Sequence, residues 1–145
     1  MHRSSRYGRP LALIMLDIDS FKDLNDRFGH QAGDAALAEL GQVVRESLRR
    51  EDMAARYGGD EIAIILPETK PRGALMVMQR LLAAVRGRSF AYDGKPLPVS
   101  ISAGVAPFRP EMSITQLVGA ADEALYRAKQ AGRNRYEVAE GSPAE

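Results

Sequence analysis

At 145 residues with 45% hydrophobic content, the chain fits one domain able to bury a core of its own. Its 20 basic and 19 acidic residues leave a net charge of +1, which excludes general adhesion to nucleic acid or membrane through a long-range field and points to a small-ligand partner. The absence of cysteine excludes disulfides, thiolate chemistry and cysteine-based zinc, and two histidines are too few for a histidine-based metal site.

Residues 1–10, MHRSSRYGRP, are basic, polar and aperiodic, and read as a linker or a helix remnant. The domain is expected over 11–138, and 139–145, with Gly141, Ser142 and Pro143, reads as a frayed tail. The run from Leu11 to Leu16 is apolar on both faces and predicts a buried central strand over about 11–17, with Asp17 where that strand emerges. Ser20 to Phe28 is short, polar and helix-compatible. From about 31 to 48, Ala35, Leu37, Leu40, Val43, Val44 and Leu48 recur at helical spacing and form a core face. Apolar runs on either side of Gly58-Gly59 predict a hairpin that delivers Asp60 and Glu61 at its turn.

Pro71 to Arg86 reads as a helix with proline at its start and Leu75, Val77, Met78, Leu81, Leu82 and Val85 inward. Met53, Met76 and Met78 read as core filler. Ser89–Tyr92 and Pro98–Val105 read as strands joined by Asp93-Gly94; the alternation from Val99 to Ala103 suggests a half-buried strand, and Gly104 a bulge or close approach. Ser113 with Gln116 is a capping box opening a last helix to about Ala131, which Gly132 ends. Tyr136–Val138 closes the domain as a strand. This order implies an α+β fold, with helices on a mainly antiparallel sheet. No signal peptide and no apolar run of about 18 residues is present, so a cytoplasmic location is expected, alone or as the cytoplasmic part of a membrane-anchored protein.

Two strands thus end in acids, Asp17-Ile18-Asp19 and Asp60-Glu61. Carboxylates at neighbouring strand ends make a hard-oxygen site suited to Mg²⁺, which in turn holds triphosphates. Four blocks, DIDSFKDLND at 17–26, GHQAGD at 29–34, GGDEI at 58–62 and DEALYRAKQAGRNRY at 122–136, occur in the order in which they are found in the GGDEF diguanylate cyclases, and the chain resembles that family. The resemblance implies a palm-like domain with a central five-stranded sheet, related to nucleotide cyclases. It implies condensation of two GTP into cyclic di-GMP and two pyrophosphates, with two Mg²⁺ (or Mn²⁺) per active site and a transient homodimer as the catalyst.

Residue by residue, the resemblance implies that Asp17, the main-chain carbonyl of Ile18, and Asp60 hold metal. Asp60 is also the proposed base, and Glu61 is tied to metal binding and catalysis. The backbone at Ser20 and Phe21, with Lys22, Lys129 and Arg133, would meet phosphate; Gly58 and Gly59 would let backbone approach the nucleotide. Asn25 and Asp34 match the guanine-reading pair, since an amide and a carboxylate together distinguish guanine from adenine. Arg49 and Asp52 match an inhibitory site for the product, with Arg80 as its second arginine. Each has a plainer reading: Lys22 a solvated lysine, Asn25 a helix end, Asp34 a first-turn acid, and Arg49-Asp52 and Lys129-Arg133 charges placed for a helix dipole. Ile62 replaces the usual Phe as a packing variation, and the family's opening Asp-x-Leu-Thr segment is absent. The resemblance also implies an N-terminal sensory or receiver domain in the full-length protein. Without one to pair its copies, this chain is expected to be weakly active when dilute. The alternative function is a non-catalytic module that senses cyclic di-GMP or GTP.

Overall fold

The structure, a computed structural model, describes residues 9–140; most of the expected linker at 1–10 and tail at 139–145 lies outside them. The apolar run becomes β1 (Leu11–Ile18), buried along its whole length. It is followed by α1 (Phe21–Phe28), α2 (His30–Ser47), β2 (Met53–Gly58), β3 (Glu61–Pro67), α3 (Pro71–Arg86), β4 (Ala91–Tyr92), β5 (Lys95–Pro96), β6 (Ile101–Pro107), α4 (Ile114–Gln130) and β7 (Arg135–Val138). The main sheet has five strands in the order β2-β3-β1-β6-β7; β6 and β7 pair in parallel and the other pairs are antiparallel. This is the α+β arrangement expected from the sequence.

β1 is apolar on both faces because each face is covered. Ile14, Leu16 and Ile18 join the core shared with α1, α2 and α3, whereas Leu11, Leu13 and Met15 pack with Leu117, Ala121 and Leu125 of α4. The predicted capping box opens α4: Gln116 N–H donates to Ser113 Oγ at 3.1 Å, and Ser113 N–H donates to Gln116 Oε1 at 2.9 Å. Ile62 is buried in the first core, in keeping with its reading as a packing variation.

Four expectations are corrected. The hairpin turn is Gly59-Asp60, one residue later than the glycine pair suggests, because Gly58 still pairs with Glu61 and only Gly59 has positive φ, at 42°. Asp93-Gly94 closes a separate two-stranded hairpin, Ala91–Tyr92 with Lys95–Pro96, and β6 starts only at Ile101. Pro96 and Pro98 lack the backbone donors a continuous ladder needs. β6 is buried on both faces rather than half-buried, Ser102 included. Met53 and Met76 are exposed, at 64% and 59%, because β2 is an exposed edge strand and Met76 lies on the outer side of α3; only Met78 of the three is buried.

Candidate active site

The strand register builds the acidic end of the site. Asp17 lies directly across from Glu61 on β3 and from Ser102 on β6. Opposite residues of an antiparallel pair share a face with Cβ atoms about 5 Å apart, so Asp17 and Glu61 stand side by side. On that face Gly104 admits α4 so closely that a Cβ there would lie 2.1 Å from the Ala121 carbonyl oxygen. This approach brings the end of α4 over the acids, and Lys129 Nζ donates to Asp17 Oδ2 at 2.6 Å.

Asp17 is 4% exposed, and its Oδ1 is buried without a hydrogen-bond partner. Burial pushes the Asp17 carboxyl above the ordinary carboxylate range; Lys129 opposes the shift, while Asp60 and Asp19 add to it. Glu61 is also pushed up, first by burial and then by the charges of Asp122 and Asp17. Lys129 compensates only Oδ2; the desolvated Oδ1, with further acids nearby, is left without a partner, and this hard-oxygen donor set fits a divalent metal. Among the described residues, however, no three acidic, histidine or cysteine side chains converge closely enough to hold one unaided. Main-chain, water and phosphate oxygens would complete the shell.

Next to the acids is a cavity of about 400 Å³ lined by Ile18, Ser20, Phe21, Lys22, Asn25, Asp60, Lys129 and Arg133. All eight were singled out from the sequence, and they come from three separate stretches of chain. Ser20, at φ 53°, turns the chain into α1, and no side chain caps that helix start. Its first N–H groups are therefore available to an anion. Gly58 and Gly59 have open space around them, outside the lining, while Arg56 Nη2 donates to the Gly59 carbonyl and braces the turn that carries Asp60.

Asn25 lines this cavity, but Asp34 does not. Asn25 Oδ1 is buried without a partner, against Gly33; Asp34 is exposed and lines a larger cleft of about 910 Å³ between α2 and β2. Arg49 and Asp52 line the same cleft and are joined: Arg49 N–H, Nε and Nη2 donate to the Asp52 carboxylate at 2.8, 3.3 and 3.0 Å. Arg49 Nη2 also reaches Thr69 Oγ1 at 2.6 Å. Arg80 Nη2 donates to the Ser47 carbonyl at 2.8 Å, at the end of α2 and close in sequence to Arg49.

Gly33 was missed as part of the site. A Cβ there would lie 1.8 Å from Asn25 Oδ1 and 3.2 Å from Phe21 Cζ. Gly33→Ala gains about 1 kcal/mol of helix propensity, which offsets the clash in a melting curve, so ligand affinity is the informative readout. We expect Gly33→Ala to turn the Asn25 amide aside and weaken binding of the guanine nucleotide that the sequence reading assigns to Asn25 by about tenfold, the loss of one buried hydrogen bond. Unchanged affinity by titration calorimetry would contradict this placement. Asp122 was also missed; it lies seven residues before Lys129 on α4, two turns along one face, and the helical spacing was the available signal.

An α+β domain with a desolvated strand-end acid pair beside a cationic, amide-lined cavity is the class that these observations define. The chain belongs to the GGDEF family: the model described as "Diguanylate cyclase, GGDEF domain" matches residues 1–135. Diguanylate cyclase A of Treponema denticola is 41% identical over 136 residues, covering 93% of this chain and 37% of that protein. Diguanylate cyclase DgcP of Pseudomonas aeruginosa is 43% identical over 137 residues, covering 94% of this chain and 20% of its own. The chain thus spans well under half of these relatives. Among solved structures, the GGDEF domain of DgcB from Caulobacter crescentus in complex with c-di-GMP has a TM-score of 0.90 at 32% identity, covering 96% of this chain and 83% of that one. Diguanylate cyclase SiaD from P. aeruginosa, in complex with its activator SiaC, has a TM-score of 0.90 at 37% identity, covering 94% of this chain and 53% of that one.

Proposed function

We propose that this chain is the catalytic domain of a diguanylate cyclase, which joins two GTP into cyclic di-GMP and releases two pyrophosphates. The observation that carries the reading is the cavity in which Ser20, Lys22, Lys129 and Arg133 meet Asp60 beside the Asp17–Glu61 pair. The uncapped start of α1 and the three cations hold the triphosphate, offsetting charge that the acids would otherwise repel. Asn25 and Asp34 read the guanine edge from either side of the α1–α2 junction. Magnesium or manganese, two per site, would be held by Asp17, the Ile18 carbonyl, Asp60 and Glu61, and when bound supplies charge stabilisation at the phosphates.

Asp60, in the turn at the cavity wall, accepts the proton of the 3′-hydroxyl as that oxygen bonds to the α-phosphorus of the other GTP and pyrophosphate leaves. Glu61, whose proton affinity is raised, stands next to it to share that charge. Each domain holds one GTP, so two copies must face each other. Specific activity should accordingly rise with protein concentration, as measured by pyrophosphate release across a dilution series. Constant specific activity would contradict two half-sites.

Arg49, Asp52 and Arg80 form the proposed feedback site, where guanidinium groups stack on guanine or fork onto phosphate. Arg49→Ala should raise the cyclic di-GMP concentration needed for half-inhibition by at least about tenfold, the loss of one charge-assisted contact. A binding-only sensor draws support from the absence, among the described residues, of a ready three-acid metal cluster. The buried Asp17, whose Oδ1 is left without a partner although Lys129 pairs with Oδ2, weighs against it, because a binding module has no need to gather desolvated acids at one strand end. Among the described residues no helix is long and apolar enough to cross a membrane. A cytoplasmic setting and a preceding sensory or receiver domain complete the proposal.

A further inference from the structure

We infer that Asp19 is a positioning residue whose carboxylate latches the loop carrying Arg133 against the phosphate cavity. The inference rests on the reading of Arg133 as a phosphate ligand. Asp19 does not line the cavity and is 8% exposed. A buried carboxylate is tolerable only when its oxygens are hydrogen-bonded, and three donors converge on this one. Ser100 Oγ donates to Oδ2 at 2.6 Å, Ser102 Oγ to Oδ1 at 2.5 Å, and the Asn134 N–H to Oδ2 at 2.9 Å. The Asp19 N–H in turn donates to the Ser100 carbonyl at 2.9 Å.

The third donor is the informative one. After α4, Gly132, Arg133 and Asn134 have φ of 125°, 64° and 51°, a left-handed run that glycine adopts freely, asparagine tolerates and arginine adopts at a cost. Such a run persists only where its surroundings impose it. The N–H groups of Gly132 and Arg133 are tied back to Lys129 and Ala128 of α4, at 3.3 and 3.0 Å. The Asn134 N–H instead leaves the helix for Asp19. From the other side, Arg86 Nη2 and Nε grip the Asn134 carbonyl and Oδ1 at 2.7 and 3.2 Å. Asn134 is thereby held at both ends of its backbone, and Arg133, immediately before it, is aimed into the cavity. Asp19 links this loop to β6 and to the strand end that bears Asp17.

The test measures affinity for 3′-deoxy-GTP, which lacks the attacking hydroxyl, and for guanosine monophosphate, together with amide exchange at Asn134. Asp19→Ala should weaken 3′-deoxy-GTP by about tenfold, the loss of one charge-assisted contact, leave the monophosphate within about twofold, and speed Asn134 exchange at least tenfold. Asp19→Asn should restore both to within about threefold, because its carbonyl can keep Asn134 and its amide can donate to Ser102 Oγ. In an Arg133→Ala background, Asp19→Ala should add no further loss. Equal losses in Asp19→Asn and Asp19→Ala would show that charge, not the latch, matters, and would overturn the inference; so would an undiminished effect without Arg133. If Asp19→Ala does not fold, Asp19→Glu keeps the charge but displaces the carboxylate; it should show the same selective loss, and wild-type affinity in that variant would overturn the latch. Failure of the unsubstituted protein to bind 3′-deoxy-GTP would count against the cyclase reading instead, and Asn134 exchange would then judge the latch alone.

Discussion

Replacing Asp17 with Asn should cut turnover by at least about 100-fold, the scale of losing a preorganised charge at the reacting centre, while leaving the nucleotide-free protein no less stable. The second half of that expectation follows from the sign of the pKa shift. Burial raises the Asp17 carboxyl above its ordinary range despite Lys129, so the folded state binds that proton more tightly than the unfolded chain. The contribution to stability is therefore greatest at low pH and is lost as pH rises through the raised value. At neutral pH the ionised, buried oxygen is a net cost, which a neutral amide relieves. A melting temperature equal to the parent's or about 3 °C higher is expected, with the pH dependence of stability reduced between the ordinary carboxylate range and neutrality. Glu61, raised for the same leading reason, adds to that dependence in the parent. A marked drop in melting temperature would show that the Lys129 pair, at 2.6 Å, outweighs burial.

The largest expected loss of stability lies at a position that touches no ligand. Gly104→Ala would place a Cβ 2.1 Å from the Ala121 carbonyl oxygen, 2.4 Å from Leu125 N and 2.9 Å from Ala124 Cβ. Ordinary contacts need about 3.5–4 Å, and two of the three obstacles are helix backbone, so α4 as a whole must move away from β6. We expect about 3 kcal/mol of destabilisation, the upper part of the range for overpacking, and a melting temperature lower by about 10 °C. Because Lys129 is on the displaced helix, any folded fraction should also bind triphosphate less well. Thermal melts and GTP titrations on one preparation would check both, and a parent-like melting curve would refute the close packing.

What the sequence made legible was what local pattern encodes. The long apolar run of β1 and the periodic faces of α2, α3 and α4 name their own burial, and the Ser113–Gln116 box names a helix start. The acids at two strand ends could be seen, though their pairing across β1 and β3 is a matter of register that no single segment specifies. The misreadings share a cause. Ser100 and Ser102 look like the wet side of an alternating strand, yet their hydroxyls are satisfied by Asp19, 81 and 83 residues away in sequence. Met53 and Met76 are apolar by type but lie on outward faces. Gly33 was read only as part of a block, since its contact with Asn25 exists only once α1 and α2 pack. Side-chain chemistry is written in the chain, but the partner that satisfies it is set by the fold.

The most direct test of the cyclase account is chromatographic detection of cyclic di-GMP after concentrated, nucleotide-stripped protein is incubated with GTP and Mg²⁺. A second form, fused to a dimerising coiled coil and carrying Arg49→Ala, should be assayed beside it, each with an Asp60→Asn counterpart. Cyclic di-GMP is expected from the fused form at least, and none from either Asp60→Asn counterpart. No product from the fused form, while the unsubstituted protein measurably binds cyclic di-GMP, would contradict it and leave a sensor in place of an enzyme.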